Sequence, residues 1–269
     1  MKLSVSNIGW DAKQDTLVYD LMKQYNYIGL EIAPTRIFSE SPYDKLEEAR
    51  EWAIKLKEDY GFTVPSMQSI WYGRQEKLFG TKKERRILIE YTKKAIDFAV
   101  AIKCRNLVFG CPKNRNMQDG ADQQVAKAFF KEIGDYAASQ GTTIGLEANP
   151  PIYNTNYIND TSSALELIQN VDSKGFRLNL DIGTMIQNEE RIDVLYGKVF
   201  LINHVHISEP KLRPILERKL HGDLLQLLKQ ENYQGFISIE MGKQDDIGSL
   251  ENALSYVREL CSNLSYETA

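Results

Sequence analysis

Cysteine is scarce in this chain, with three in 269 residues. Cys104, Cys111 and Cys261 are odd in number, far apart and without a CxxC pair, which fits reduced, buried thiols better than a secreted disulfide framework or a zinc ribbon. Positive charge is not in excess either. Lys and Arg total 33 against 37 Asp and Glu, a formal charge of −4, so no global basic field exists to hold a polyanion and extended nucleic-acid binding is disfavoured. No apolar run approaches the roughly 18 residues of a membrane span, and the opening MKLSVSNIGW lacks the apolar core of a signal peptide. The expected location is the cytoplasm, without a membrane partner, and the sequons at Asn159 and Asn263 read as chance matches. GxGxxG is missing after the first strand-like run, and GxxxxGK[ST] and GxSxG are missing throughout, which argues against dinucleotide, P-loop and serine-hydrolase chemistry.

What is present is a regular alternation. Hydrophobic residues make up 42 % of the chain, enough for a substantial core. Eight strand-like runs fall at 2–8, 27–33, 62–70, 104–110, 143–149, 176–181, 201–208 and 236–241. Helical patterns separate them at about 12–26, 44–60, 81–103, 121–140, 161–172, 190–198 and 213–231. The helix from Thr81 opens with a Thr81/Glu84 capping box, that of 121–140 ends at Gly141, and a last stripe of Leu250, Leu254, Val257, Cys261 and Leu264 closes the series. These stripes read as faces packed on a sheet. Eight βα units without a composition break or linker predict one α/β domain over 1–269, a single (β/α)8 TIM barrel. A doubly wound open sheet is the alternative.

Four of the runs end in a residue able to bind a divalent metal: TTIGLE at Glu147, FRLNLD at Asp181, LINHVH at His206 and FISIE at Glu240. Alone, an acidic residue at a strand end reads as a helix cap or an ion-pair partner. Together the four change the balance, because in a closed barrel all strand C-termini surround one mouth, where active sites lie. Three carboxylates and an imidazole suit one divalent ion, Mn²⁺, Mg²⁺, Co²⁺ or Zn²⁺. His204 and His206 are two apart in a strand and share a side. His206, nearer the rim, is the expected ligand, and His204 reads as a supporting or core group. His221, before Gly222-Asp223, reads as a polar-loop residue that either lines the mouth or is solvated.

The set GLEANP, LNLDIGT, HVHISEP and GFISIEM, with the GLE ending at Glu31 and the HGD at His221, resembles the xylose-isomerase-like (β/α)8 superfamily, in particular its sugar-phosphate isomerase/epimerase branch. The resemblance implies one divalent metal on Glu147, Asp181, His206 and Glu240, with adjacent substrate oxygens completing the coordination. It also implies Glu147 and Glu240 as the acid/base pair on opposite faces of an enediolate, with a small carbohydrate-like molecule as substrate. Ketose 3-epimerases of this type carry a histidine where this chain has Thr184, and often a glutamate where it has Tyr153. Arg213 lies near the position of their substrate-binding arginine. These departures count against a ketose 3-epimerase and permit an isomerase of another polyol-like compound, or an inosose- or dehydroshikimate-type dehydratase using the same enolate. An abasic-site endonuclease would need more zinc ligands than three histidines allow, and a carbohydrate-binding barrel without turnover is the non-enzymatic alternative.

Other rim residues complete the expected pocket. Glu31 reads as a substrate ligand or a cap of the following helix, and Gln68 as a hydrogen-bonding partner of substrate. Trp10, Trp71 and Tyr72 read as apolar walls for a sugar ring or as packing groups. Lys113 and Arg115 read as receptors of a phosphate or carboxylate, or as solvated loop cations. Association of identical chains is compatible with everything above.

Overall fold

Period-two alternation along the strands sorts side chains between the inside of a barrel and its helical jacket, and here the polar members face inward. The computed structural model describes residues 1–266, with side chains through Asn263. Its eight parallel strands are β1 Lys2–Ser6, β2 Gly29–Glu31, β3 Ser66–Met67, β4 Asn106–Phe109, β5 Ile144–Leu146, β6 Phe176–Asp181, β7 Ile202–Ser208 and β8 Phe236–Glu240. They pair in the order β2-β1-β8-β7-β6-β5-β4-β3. Isolated bridges Gly29 to Thr63 and Ile32 to Met67 join β2 to the β3 segment and close the ring. The result is a (β/α)8 TIM barrel with helices outside, as the alternation of runs predicts.

The helices are α1 Asp15–Gln24, α2 Pro34–Ile37, α3 Leu46–Tyr60, α4 Lys82–Ala101, α5 Gln124–Ser139, α6 Thr161–Val171, α7 Ile182–Gln187, α8 Lys219–Gln230 and α9 Gly248–Tyr266. The Thr81/Glu84 box is formed: Glu84 N donates to Thr81 Oγ1 at 3.2 Å, and Glu84 Oε2 accepts from Thr81 N at 2.7 Å. Gly141 follows α5 with φ +76, a left-handed position that an L side chain adopts with strain. Leu250, Leu254, Val257 and Cys261 of α9 are buried, whereas the Leu264 side chain lies outside the described residues.

Several boundaries differ from the sequence expectation, each for a local reason. The run 62–70 contributes only two residues of strand, because Pro65 has no N–H to donate and Ser69 turns the chain at φ 56. The helix expected at 190–198 is absent; that stretch holds a 3₁₀ turn at Ile192–Leu195. The helix of that unit is α7, started directly by Asp181, whose carboxylate accepts from Thr184 N at 2.8 Å. The run 213–231 becomes helical only from Lys219, since Leu212 is left-handed at φ 54 and Pro214 follows. No helix among the described residues is long and apolar enough to cross a membrane.

Apolar strand residues such as Leu3, Val5, Leu107 and Phe109 belong to the buried core. Phe109 meets Trp71 edge-on at 4.6 Å and Phe130 of α5 at 4.9 Å. The barrel interior is different. Ser4 of β1 and Ser238 of β8 share a hydroxyl hydrogen bond of 2.7 Å. Asn106 of β4 donates to Ser66 Oγ at 3.0 Å and to Asn179 Oδ1 of β6 at 3.1 Å. Gly145 of β5 makes room for that amide, as a Cβ there would stand 2.5 Å from Asn106 Oδ1. Such groups are tolerated without water only when they bond one another. Phe109→Ala, which hollows the jacket without touching the interior, should cost about 3–5 kcal/mol in chemical denaturation; a loss below about 1 kcal/mol would contradict the packing described.

Candidate metal centre

The inward alternation delivers its last polar residues to one rim. Glu147 follows β5, Asp181 ends β6, His206 lies within β7 and Glu240 ends β8. One ligand atom from each of the four lies within 4.8 Å of the others. His206 Nδ1 is 3.1 Å from Glu147 Oε1 and 3.2 Å from Glu240 Oε2. Its other nitrogen, Nε2, is 2.9 Å from Glu31 Oε2. Glu31 also stands 3.2 Å from His204 Nε2, but without hydrogen-bond geometry, so that nitrogen has no partner. Both histidines and Glu31 are fully buried.

Each carboxylate is held by its own set of donors. Glu147 accepts from Asn179 Nδ2 and Asn149 Nδ2, both at 3.0 Å. Asp181 accepts from the Ser208 hydroxyl and, at 2.8 Å each, from the Thr184 amide and hydroxyl. Glu240 accepts from Gln68 Nε2 at 2.8 Å, and the same amide donates to Ser6 Oγ at 2.8 Å. Glu147, Asp181 and Glu240 line a cavity of about 180 Å³ together with Gln68, Asn149, Tyr153, Ser208, Glu209 and Leu212. That volume is below the 300–1,000 Å³ of pockets for drug-sized ligands and suits a compact molecule.

Charge is crowded here. Burial raises the Glu240 carboxyl, to about 7, against the pull of His206. Burial and the Glu147 charge raise Asp181. Burial alone would raise Glu31, but the neighbouring His206 and His204 hold it well below the usual carboxylate range. Burial likewise disfavours a charged His206, yet Glu31 and Glu240 hold its proton well above the ordinary imidazole value. One imidazolium thus serves three carboxylates, and Asp181 has only neutral donors. Three oxygen donors and one nitrogen, short of positive charge, fit a divalent cation.

The other residues singled out from sequence are placed as follows. Gln68 lines the cavity, while Glu31 and His204 lie beneath it, against His206. Arg115 is fully buried behind the site: it donates to the Glu147 carbonyl at 2.8 Å and to Asn149 Oδ1 at 2.9 Å. Lys113 and Arg213 are exposed next to the lining residues Pro112 and Leu212. Trp71 packs in the core on Phe109 and Phe129, its indole bonded to Thr92. Trp10 is buried against Asp15 and Arg36, and Tyr72 is exposed beside a different cleft. His221 is not in a polar loop: it is buried in α8 with Nδ1 3.1 Å from Tyr256 Oη.

Sequence reasoning passed over Asn149, Asn179, Ser208 and Glu209. For Asn179 and Ser208 a signal existed, because each stands two residues from Asp181 or His206 in the same strand and two residues along a strand return to the same side; Asn149 lies past the end of β5. Glu209 is bound by Arg218 through Nε and Nη2 at 2.6 Å each, a pairing across a loop that no local pattern announces.

Against this geometry stands the comparison with known proteins. Residues 19–260 match the family model described as xylose isomerase-like TIM barrel. The chain belongs to the xylose isomerase-like TIM-barrel family. Among solved structures, it is similar to D-psicose 3-epimerase from Clostridium cellulolyticum H10, with TM-score 0.76, 14 % identity and 99 % of each chain covered. It is also similar to 3-keto-D-glucoside 4-epimerase from E. coli, with TM-score 0.72, 18 % identity and coverage of 98 % and 99 %. A third is the probable 3-DHS dehydratase from Bacillus anthracis, with TM-score 0.67, 16 % identity and full coverage of both chains. At these identities the likeness is one of fold. No curated protein matches this family member in sequence.

A cation placed among these crowded charges would bind in a pH-dependent way. A carboxyl raised by folding costs stability as pH climbs from its ordinary range to about 7, because the folded state then holds more protons than the unfolded one. The raised His206 acts in the same direction. A divalent cation competes with these protons. The rise in melting temperature on adding Mn²⁺ or Zn²⁺ should therefore be larger at pH 8 than at pH 6, with protons released in calorimetry; a gain that shrinks toward pH 8 would contradict the assignment.

Proposed function

We propose that this barrel is a divalent-metal-dependent isomerase or epimerase of a small polyhydroxy carbonyl compound, working through an enediolate, with Glu147 and Glu240 as its acid/base pair. The observation that carries the reading is their mutual placement. They arise from β5 and β8, with β6 and β7 between them in the sheet, yet their carboxylates reach the same His206 nitrogen and line the same cavity. A compact substrate in that cavity would lie within reach of both carboxylates.

Glu147, Asp181, His206 and Glu240 would hold the cation. When bound, it would polarise the substrate carbonyl and stabilise the developing oxyanion. The protein supplies the proton movement. One glutamate takes the proton from the carbon next to the carbonyl, the C–H electron pair passes into the enediolate, and the other glutamate returns a proton to the opposite face or to the neighbouring carbon. A cation held there would displace the proton that burial favours on Glu240, leaving the carboxylate ionised and able to act as the base. Gln68 and the Asn149/Asn179 pair keep Glu240 and Glu147 in place, while Tyr153, Glu209 and Ser69 offer partners for substrate hydroxyls. The carbohydrate class is supported by the similar folds of D-psicose 3-epimerase and 3-keto-D-glucoside 4-epimerase.

Purified protein with Mn²⁺ or Co²⁺ should exchange a substrate α-proton with deuterated water across a panel of ketoses, ketose phosphates and inososes. Glu147→Gln and Glu240→Gln should each lower that rate by about 10²–10⁴-fold with an unchanged circular dichroism spectrum. In ordinary water, product of unchanged mass assigns isomerisation or epimerisation and loss of water assigns a lyase, while no exchange in deuterated water on any member of the panel overturns the proposal.

A further inference from the structure

Beneath the rim, the contacts of His206 set a direction. An imidazole binds a metal through one nitrogen only if the other carries its proton, and the partner of that other nitrogen selects the tautomer. His206 turns Nδ1 toward Glu147 and Glu240 and Nε2 toward Glu31. Glu31 cannot take up any other partner of opposite charge: it is wholly buried, and apart from the two histidines its closest donor is the Gln68 amide, at 3.5 Å. It comes from β2, on the far side of β1 and β8 from β7, so a carboxylate has been brought across the barrel to meet one imidazole N–H.

We infer that Glu31 is a positioning residue for the metal centre: its carboxylate accepts the Nε2–H of His206, fixing the tautomer that presents Nδ1 to the cation. The inference rests on the metal-centre reading above and adds to it a residue outside the four ligands. His204 packs edge-on to His206, with centroids 5.4 Å apart at 89°, and closes the other side of the same carboxylate oxygen. The rival arrangement has Glu31, His204 and His206 as ligands of a second ion, since their ligand atoms also lie within 4.8 Å of one another. It would require His206 to lose both ring protons and bridge two cations.

The chain has only three histidines, so ¹⁵N-histidine labelling of the Zn²⁺-loaded wild-type protein, with His204→Gln and His221→Gln for assignment, resolves the tautomer directly. The expected result is one Zn²⁺ per chain by elemental analysis, and a His206 that is protonated at Nε2 and metal-shifted at Nδ1. Glu31→Gln, which keeps an acceptor oxygen but loses the charge, should weaken Zn²⁺ binding by about 10–100-fold, and Glu31→Leu, which loses both, by more. Two ions per chain, or unchanged affinity in folded Glu31 variants, each overturn the inference while leaving the rim site standing; a proton on Nδ1 overturns the inference and removes His206 from the rim ligands as well. Failure of the wild type to bind Zn²⁺ at all overturns both.

Discussion

Both nitrogens of His206 face carboxylates, three in all, and the barrel interior is arranged so that this concentration of charge stays buried. Glu31 holds one nitrogen from below, while Glu147 and Glu240 approach the other from above. A buried ionised group without partners would cost several kcal/mol. Neutral amides from Gln68, Asn149 and Asn179 donate to Glu240 and Glu147, and the Ser208 hydroxyl donates to the neighbouring Asp181. The centre is therefore the top layer of a polar interior that begins at the Ser4–Ser238 pair.

This polar interior departs from the usual filling of a (β/α)8 barrel by bulky branched side chains. Stability comes instead from the jacket, where Phe109, Phe129, Phe130, Phe176 and Trp71 pack between strands and helices. Separating the two tasks leaves the inside free to be built for chemistry. Three of the four rim residues stand on strands and the fourth, Glu147, directly follows one, with Asp181 both ending β6 and capping α7. A short helix that starts on Asp181 cannot move without moving that carboxylate.

Much of this was legible in the residue order. The four strand-end residues, the capping box at Thr81 and the turn at Gly141 are local signals whose meaning does not depend on distant contacts. The boundaries around Pro65 and Pro214 were harder, because apolar runs continue through residues that cannot pair or coil. Arg115 and Trp71 show the limit most plainly. A loop arginine after a strand looks like an anion receptor, yet it folds inward to bond the Glu147 carbonyl. An indole near a barrel end looks like a sugar platform, yet it turns toward Thr92 and the aromatic core.

By itself the sequence determined the βα repeat, the parallel closure it implies and the identity of the four rim residues, because strand periodicity and turn chemistry act over a few neighbouring positions. Only the tertiary structure decided that Glu31, from β2, lies under His206 from β7 and that Arg115 supports Glu147 from behind. Those pairings join residues far apart in the chain, and burial, which no local pattern records, is what gives them their strength.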